Sequence, residues 1–210
     1  MLNTIIDFII HCDIHIGEFI IDYGVLVYLI IFGIIFVETG LVFMPFLPGD
    51  SLIFAAGSFA AINALNYFFL LIILIIAAVL GDTVNYFIGK NFSRKILQSK
   101  RLVKEENLNK AKKFVDKYGG KAVFLARFVP IIRTIVPFVA GSGELEYKKF
   151  FKYNLIGGIT WVFVCLTTGY FFGNIPVVKN NFSIFILAII FISILPIFIG
   201  LIRTKIIKKV

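Results

Sequence analysis

The stretch KAVFLARFVPIIRTIVPFVAG, residues 121–141, decides how the chain folds. It is apolar enough to enter a bilayer, yet Arg127, Pro130, Arg133 and Pro137 interrupt it. Proline removes a backbone donor and clashes with the preceding helical turn, so one straight spanning helix is excluded. Broken backbone survives at membrane depth only where protein or a water-filled cavity surrounds it. The stretch is therefore expected to be a re-entrant hairpin over 121–141.

Working outward, the rest of the chain reads as membrane too. Of 210 residues, 60% are apolar and 16% charged, and the mean hydropathy is +0.97. A soluble domain has about 45–50% apolar and about 25% charged residues, so a soluble globule is excluded. The apolar runs are continuous rather than alternating, which excludes an outer-membrane barrel. Cys12 and Cys165 lie far apart in apolar segments and form no disulfide framework. Asp7, Asp13, Glu18 and Asp22 stand where a signal peptide would carry positive charge.

The charge-free run 51–81 would be a helix of about 46 Å against a hydrocarbon core of about 30 Å, so it must break. Asn63 and Asn66 mark the break, leaving a transmembrane span at 67–88. The piece before it, 24–61, carries Glu38 and then MPFLPGD at 44–50, and is expected to be a first re-entrant hairpin. Further spans are expected at 153–174 and 180–202. Residues 1–23 alternate isoleucines with acids and suit an amphipathic helix lying in the interface. The fold class is thus an all-α polytopic membrane protein, with two inverted-repeat-like halves each carrying one hairpin.

Eleven Lys or Arg against three acids fall between Lys90 and Lys121, and Arg203, Lys205, Lys208 and Lys209 close the chain. Positive-inside reasoning puts the basic loop 89–120 and the tail 203–210 in the cytoplasm. Topology accounts for these charges without nucleic acid as a partner. His11 and His15 share an i, i+4 spacing, but no further ligand residue completes a metal site. No cofactor is expected.

Four charges resist this sorting: Glu38, Asp50, Arg127 and Arg133. Each costs about 2.5–3.5 kcal/mol near the centre of a membrane helix, so all four must be hydrated, paired or bound to a ligand. The simplest neutral arrangement brings the two hairpin tips together, acid against guanidinium. Pro130 offers a bend that turns both arginines to one site, and Pro48-Gly49 frees backbone at the other tip. Stapling the hairpins together is one reading, but apolar replacements of a buried ion pair often stabilise as well. The functional reading is two guanidiniums gripping a phosphate, beside carboxylates able to carry protons. Asp82, six residues before the expected end of its span, is a weaker candidate that could snorkel to the interface. Gly157-Gly158 and Trp161 read as helix packing and an interfacial anchor.

Several motifs together resemble the DedA family. They are Glu38-Thr39-Gly40, Phe46-Leu47-Pro48-Gly49-Asp50-Ser51, Gly81-Asp82 with Asn85-Tyr86, Ala126-Arg127-Phe128-Val129-Pro130 with Arg133-Thr134, Ala140-Gly141, and the stretch from Trp161 to Gly173. The likeness runs from about Ile9 to Lys209, and the stretch Ile10–His15 shares it. The resemblance implies a bacterial inner-membrane protein with a VTT-type domain related to lipid scramblases. It further implies movement of undecaprenyl phosphate or phospholipid, and places the needed acids on Glu38 and Asp50 and the needed arginines on Arg127 and Arg133.

The expected function is a lipid-phosphate flippase linked to the proton-motive force, with no catalytic residues. Arg127 and Arg133 would bind substrate while Glu38 and Asp50 couple protons. The alternative is a proton-coupled cation or drug antiporter supporting membrane potential and pH homeostasis. A phosphatase lacks a positioned nucleophile or base near the arginines, and a non-transporting scaffold is a further reading. Lipid headgroups and protons are the expected partners, and the sequence is compatible with a homo-oligomer.

Overall fold

The computed structural model of the chain describes residues 12–41, 49–98, 105–129, 132–143, 145–181, 184–185 and 188–189. Their helices are α1 Cys12–Gly40, α2 Gly49–Ala61, α3 Tyr67–Gln98, α4 Glu105–Tyr118, α5 Lys121–Ala126, α6 Ile132–Ser142, α7 Tyr147–Gly173 and α8 Pro176–Asn180. Among the described residues three windows are long and apolar enough to cross a membrane: Tyr23–Gly40, Tyr67–Asn91 and Tyr147–Gly173. Only 33–39% of their residues are buried, and Val25, Phe68 and Ile72 are exposed along them. Apolar side chains facing outward over whole helices suit lipid, not water. The chain is an all-α polytopic membrane protein.

Local chemistry sets the helix boundaries. Gly24 kinks α1 with φ 25° and ψ −94°, a conformation open to glycine because it has no Cβ. After α2 the chain turns through Asn63, which has φ 61°. Asn66 Oδ1 then accepts the Phe69 N–H at 2.9 Å, capping α3. That helix continues to Gln98, ten residues past the expected end of the span at 88.

The segment 89–120, expected as a basic loop, is largely helical. Leu108 and Ala111 on α4 are buried, and Phe114 and Val115 pack beside them. Spacings of three and four put these residues on one face, leaving the lysines outward. The 121–141 stretch is two helices, α5 and α6, with Pro137 carried inside α6. The first basic residues after it, Lys148, Lys149 and Lys152, lie within α7. Most of the 180–202 span and the 203–210 tail fall outside the described residues, as do residues 1–11 of the N-terminal helix.

The chain divides into two compact units. The first comprises residues 1–29, 48–70 and 165–210. Here α2 meets the end of α7 at backbone distance. A Cβ on Gly57 would overlap the Leu166 carbonyl, and one on Gly169 would overlap that of Phe54. Ser58 Oγ donates to Gly169 O at 3.0 Å in the same contact. Small residues let membrane helices approach this closely.

The second unit comprises residues 30–47 and 71–164. Its core joins Tyr86, Val123, Val136, Phe138, Val139 and Phe150. Gly89 and Gly141 bring α3 and α6 together, because a Cβ on either would strike backbone of the other helix. Gly81 does the same for α3 against Thr39 of α1.

Candidate functional site

The second unit gathers four charges, three buried and one, Arg133, half-buried. Glu38 lies near the end of α1, Asp82 in α3, Arg127 just past α5 and Arg133 in the first turn of α6. Arg127 Nη2 donates to Asp82 Oδ2 at 2.5 Å, and each side chain is 5% exposed. Arg133 Nη2 donates to Glu38 Oε1, with side chains 17% and 1% exposed. The two acids and two guanidiniums sum to no net charge, which is what a low-dielectric interior requires of them.

The break between α5 and α6 lets both arginines join. On one continuous helix, residues six apart point about 240° around from each other. Here α5 ends at Ala126 and α6 starts at Ile132. The Arg133 N–H donates to Val129 O at 3.2 Å, bridging the break. Pro130, the expected source of the bend, lies outside the described residues.

Trp161 sits between the two pairs. Its ring centroid lies 5.7 Å from Arg127 Cζ and 5.5 Å from Arg133 Cζ. One indole therefore receives both guanidiniums, an attraction of the cation–π kind. At 4% exposure it is buried, which corrects its reading as an interfacial anchor. Glu38, Thr39, Asp82, Arg127, Arg133, Thr134 and Trp161 line a small cavity with space for about one water molecule.

Neutral amides hold this arrangement. Asn154 Oδ1 accepts from Arg127 Nη2 at 2.7 Å, and its Nδ2 donates to Val79 O at 3.0 Å. Asn85 Nδ2 donates to Thr39 O at 3.1 Å and Thr134 O at 2.8 Å. Those carbonyls belong to the residues immediately after Glu38 and Arg133, so one amide ties together the backbone carrying both partners of that pair. Gly157 makes room for the other pair. A Cβ there would lie 2.9 Å from Arg127 Cδ and 3.1 Å from Nε.

Asp82 thus holds the place beside Arg127 that a hairpin carboxylate was expected to hold. It is the sixteenth residue of a 32-residue helix, so burial and pairing replace snorkelling. Asp50 lies in the first turn of α2 in the other unit, where it is exposed, and Gly49 starts that helix, buried. Pro48 lies outside the described residues. Sequence reasoning missed Asn85 and Asn154 as site residues, and gave Gly157 and Trp161 other roles. A signal was present on α7: Asn154, Gly157-Gly158 and Trp161 recur at helical spacing on one face. Among the described residues no group of three or more His, Cys, Asp or Glu could hold a metal ion.

Comparison with known proteins places this site in a family. The VTT domain matches residues 47–171. The chain is 48% identical over 209 residues to Protein DedA of Escherichia coli, covering 98% of this chain and 95% of that protein. An uncharacterized membrane protein of Mycobacterium tuberculosis is 40% identical over 167 residues, covering 78% of this chain and 73% of its own length. Inner membrane protein YqjA of Escherichia coli is 32% identical over 154 residues, covering 72% and 70%. No solved structure matches the chain. With the VTT domain spanning more than half of its length, the chain belongs to the DedA family of VTT-domain membrane proteins.

Proposed function

We propose that the protein moves lipid phosphates across the bacterial inner membrane, coupled to protons, and acts as a transporter rather than an enzyme. The observation that carries this reading is the neutral cluster of two guanidiniums and two carboxylates around Trp161. A guanidinium binds phosphate through the same paired N–H groups that bind carboxylate. A lipid headgroup can therefore engage Arg127 and Arg133, where it competes with the protein's own acids. The acyl or prenyl tail stays in the bilayer while the headgroup passes.

The cavity has room for about one water, so a phosphate is admitted only when an ion pair opens. Opening exposes a carboxylate to protonation, which links headgroup binding to proton uptake. Glu38 supplies such a carboxylate inside the cluster, and Asp50 is a second proton carrier. In this reading the 24–61 and 121–141 pieces act as re-entrant hairpins, and the basic 89–120 segment and the tail face the cytoplasm. Undecaprenyl phosphate and phospholipid are the substrates of choice.

The test is flipping of a fluorescent polyprenyl phosphate or phospholipid in reconstituted vesicles, with and without a pH gradient. Flipping should depend on the gradient and vanish in Arg127→Ala plus Arg133→Ala protein. Flipping that survives the double substitution overturns the proposal. Gradient-driven efflux of an organic cation, unaffected by added lipid phosphate, would support the antiporter instead.

A further inference from the structure

The two ion pairs look equivalent by charge but differ in how they are held. Arg127 and Asp82 are each 5% exposed. Arg127 also donates to Asn154, itself fixed by Val79 O, and its stem packs against Gly157. Leaving Asp82 would strand a carboxylate in an enclosed site and break the bond to Asn154. Arg133 is the most exposed of the four at 17%, while its partner Glu38 is 1% exposed.

Building on the lipid-phosphate reading, we infer that the pairs divide the labour: Arg133 exchanges Glu38 for the phosphate, while Arg127 keeps Asp82 throughout. Asp82 and Asn154 are then positioning residues that fix Arg127 and its charge. The exchange conserves charge in one step. Arg133 moves from the Glu38 carboxylate to a phosphate oxygen, and the vacated carboxylate takes one proton from water. When the phosphate leaves, Glu38 returns that proton and the pair re-forms.

The groups facing Glu38 across the cavity fit this division. They are Arg133 of α6, Arg127 beyond α5 and Asp82 of α3, with Trp161 of α7 between the guanidiniums. With Asp82 still satisfied by Arg127, Glu38 is the carboxylate that gains the proton. Arg127 also retains an unused donor: its buried Nε has no hydrogen-bond partner among the described residues. Gly157 lets Arg127 pack against α7 with no side chain set against that nitrogen. Arg127 can therefore contact an added oxygen without releasing Asp82.

The chain contains one tryptophan, and it is the one in this site, so its emission reports occupancy directly. The full-length protein in detergent is titrated with dihexanoyl phosphatidylglycerol, with geranyl phosphate and with uncharged dihexanoylglycerol. Trp161 emission gives binding, and a pH indicator in weakly buffered solution gives proton uptake. The diester has no titration near neutral pH, so its proton count belongs to the protein.

Wild type should bind the phosphates but not the glycerol, and take up about one proton per bound diester. Glu38→Gln should bind with no proton uptake. Asp82→Asn should keep the uptake and bind about tenfold more weakly, through loss of the anchor on Arg127. Uptake that persists in Glu38→Gln, or disappears in Asp82→Asn while binding remains, overturns the division of labour. Identical responses of the wild type to phosphate and uncharged lipid overturn the underlying phosphate reading instead. Should Asp82→Asn not fold, Asn154→Ala removes another side-chain acceptor on Arg127 and carries the same expectations. The tighter of the two phosphates identifies the headgroup as a monoester or a diester.

Discussion

The α2–α7 contact in the first unit and the charged cluster in the second show two ways to join membrane helices. In the first, Gly57, Gly169 and Ser58 let two backbones touch, with one hydrogen bond from Ser58 to Gly169 O. In the second, Glu38, Asp82 and Arg127 are buried with the amides of Asn85 and Asn154, and Arg133 is half-buried beside them. Of the buried polar residues among those described, Ser58 alone belongs to the first unit. Close packing of small residues already gives stable association without desolvating charge. The second unit's concentration of charge is therefore better explained by use than by stability.

Removing one partner of the charged cluster should break that contrast most severely. Arg127→Ala leaves Asp82 buried without its guanidinium, at a cost of about 3–5 kcal/mol. Thermal unfolding in detergent should show a large fall in midpoint. Replacing the whole pair, Asp82→Leu with Arg127→Met, should recover most of that stability while lipid flipping stays lost. Recovery of flipping along with stability would make the pair a staple and erase the distinction.

The glycine contact should fail by a different route. Gly169→Ala forces a methyl into the Phe54 carbonyl, and overpacking of this kind costs about 1–3 kcal/mol. The unfolding midpoint should drop while phosphate binding per folded molecule, read from Trp161, stays at the wild-type level. A change in that affinity would mean the two units are not separable in function.

The smallest effects should come from single neutral hydrogen-bonding groups, and they sharpen the comparison. Asn85→Ala removes the donor shared by Thr39 O and Thr134 O, worth about 1–3 kcal/mol, and should also weaken flipping. Ser58→Ala removes one bond, worth about 1 kcal/mol, and should leave flipping unchanged. Equal flipping in the two variants would show that Asn85 does no more than Ser58.

Much of the site was legible because charge is conspicuous in an apolar sequence. Glu38, Arg127 and Arg133 stood out on cost alone, and the prolines around the arginines warned of broken backbone. Asp82 was undervalued because the span was ended at 88, just before Lys90. In fact α3 continues to Gln98, and Asp82, midway along it, is buried against Arg127. The amides were harder to see. A single Asn in an apolar helix is cheap enough to have many uses, and only the partners brought by folding distinguish Asn154 from a surface Asn. Helix α4 was hidden by its lysines, since its buried face is narrow and bears Ala111 among them.

The sequence order of the cluster also bears on how the protein is made. Asp82 precedes Arg127 by 45 residues, and Glu38 precedes Arg133 by 95. At roughly 5–20 residues per second, each acid is incorporated seconds before its guanidinium exists. A carboxyl group can wait in lipid as a neutral acid, whereas a guanidinium cannot shed its charge. The chain thus delivers the partners that can be stored uncharged first, and each arginine is made only after the acid that will neutralise it.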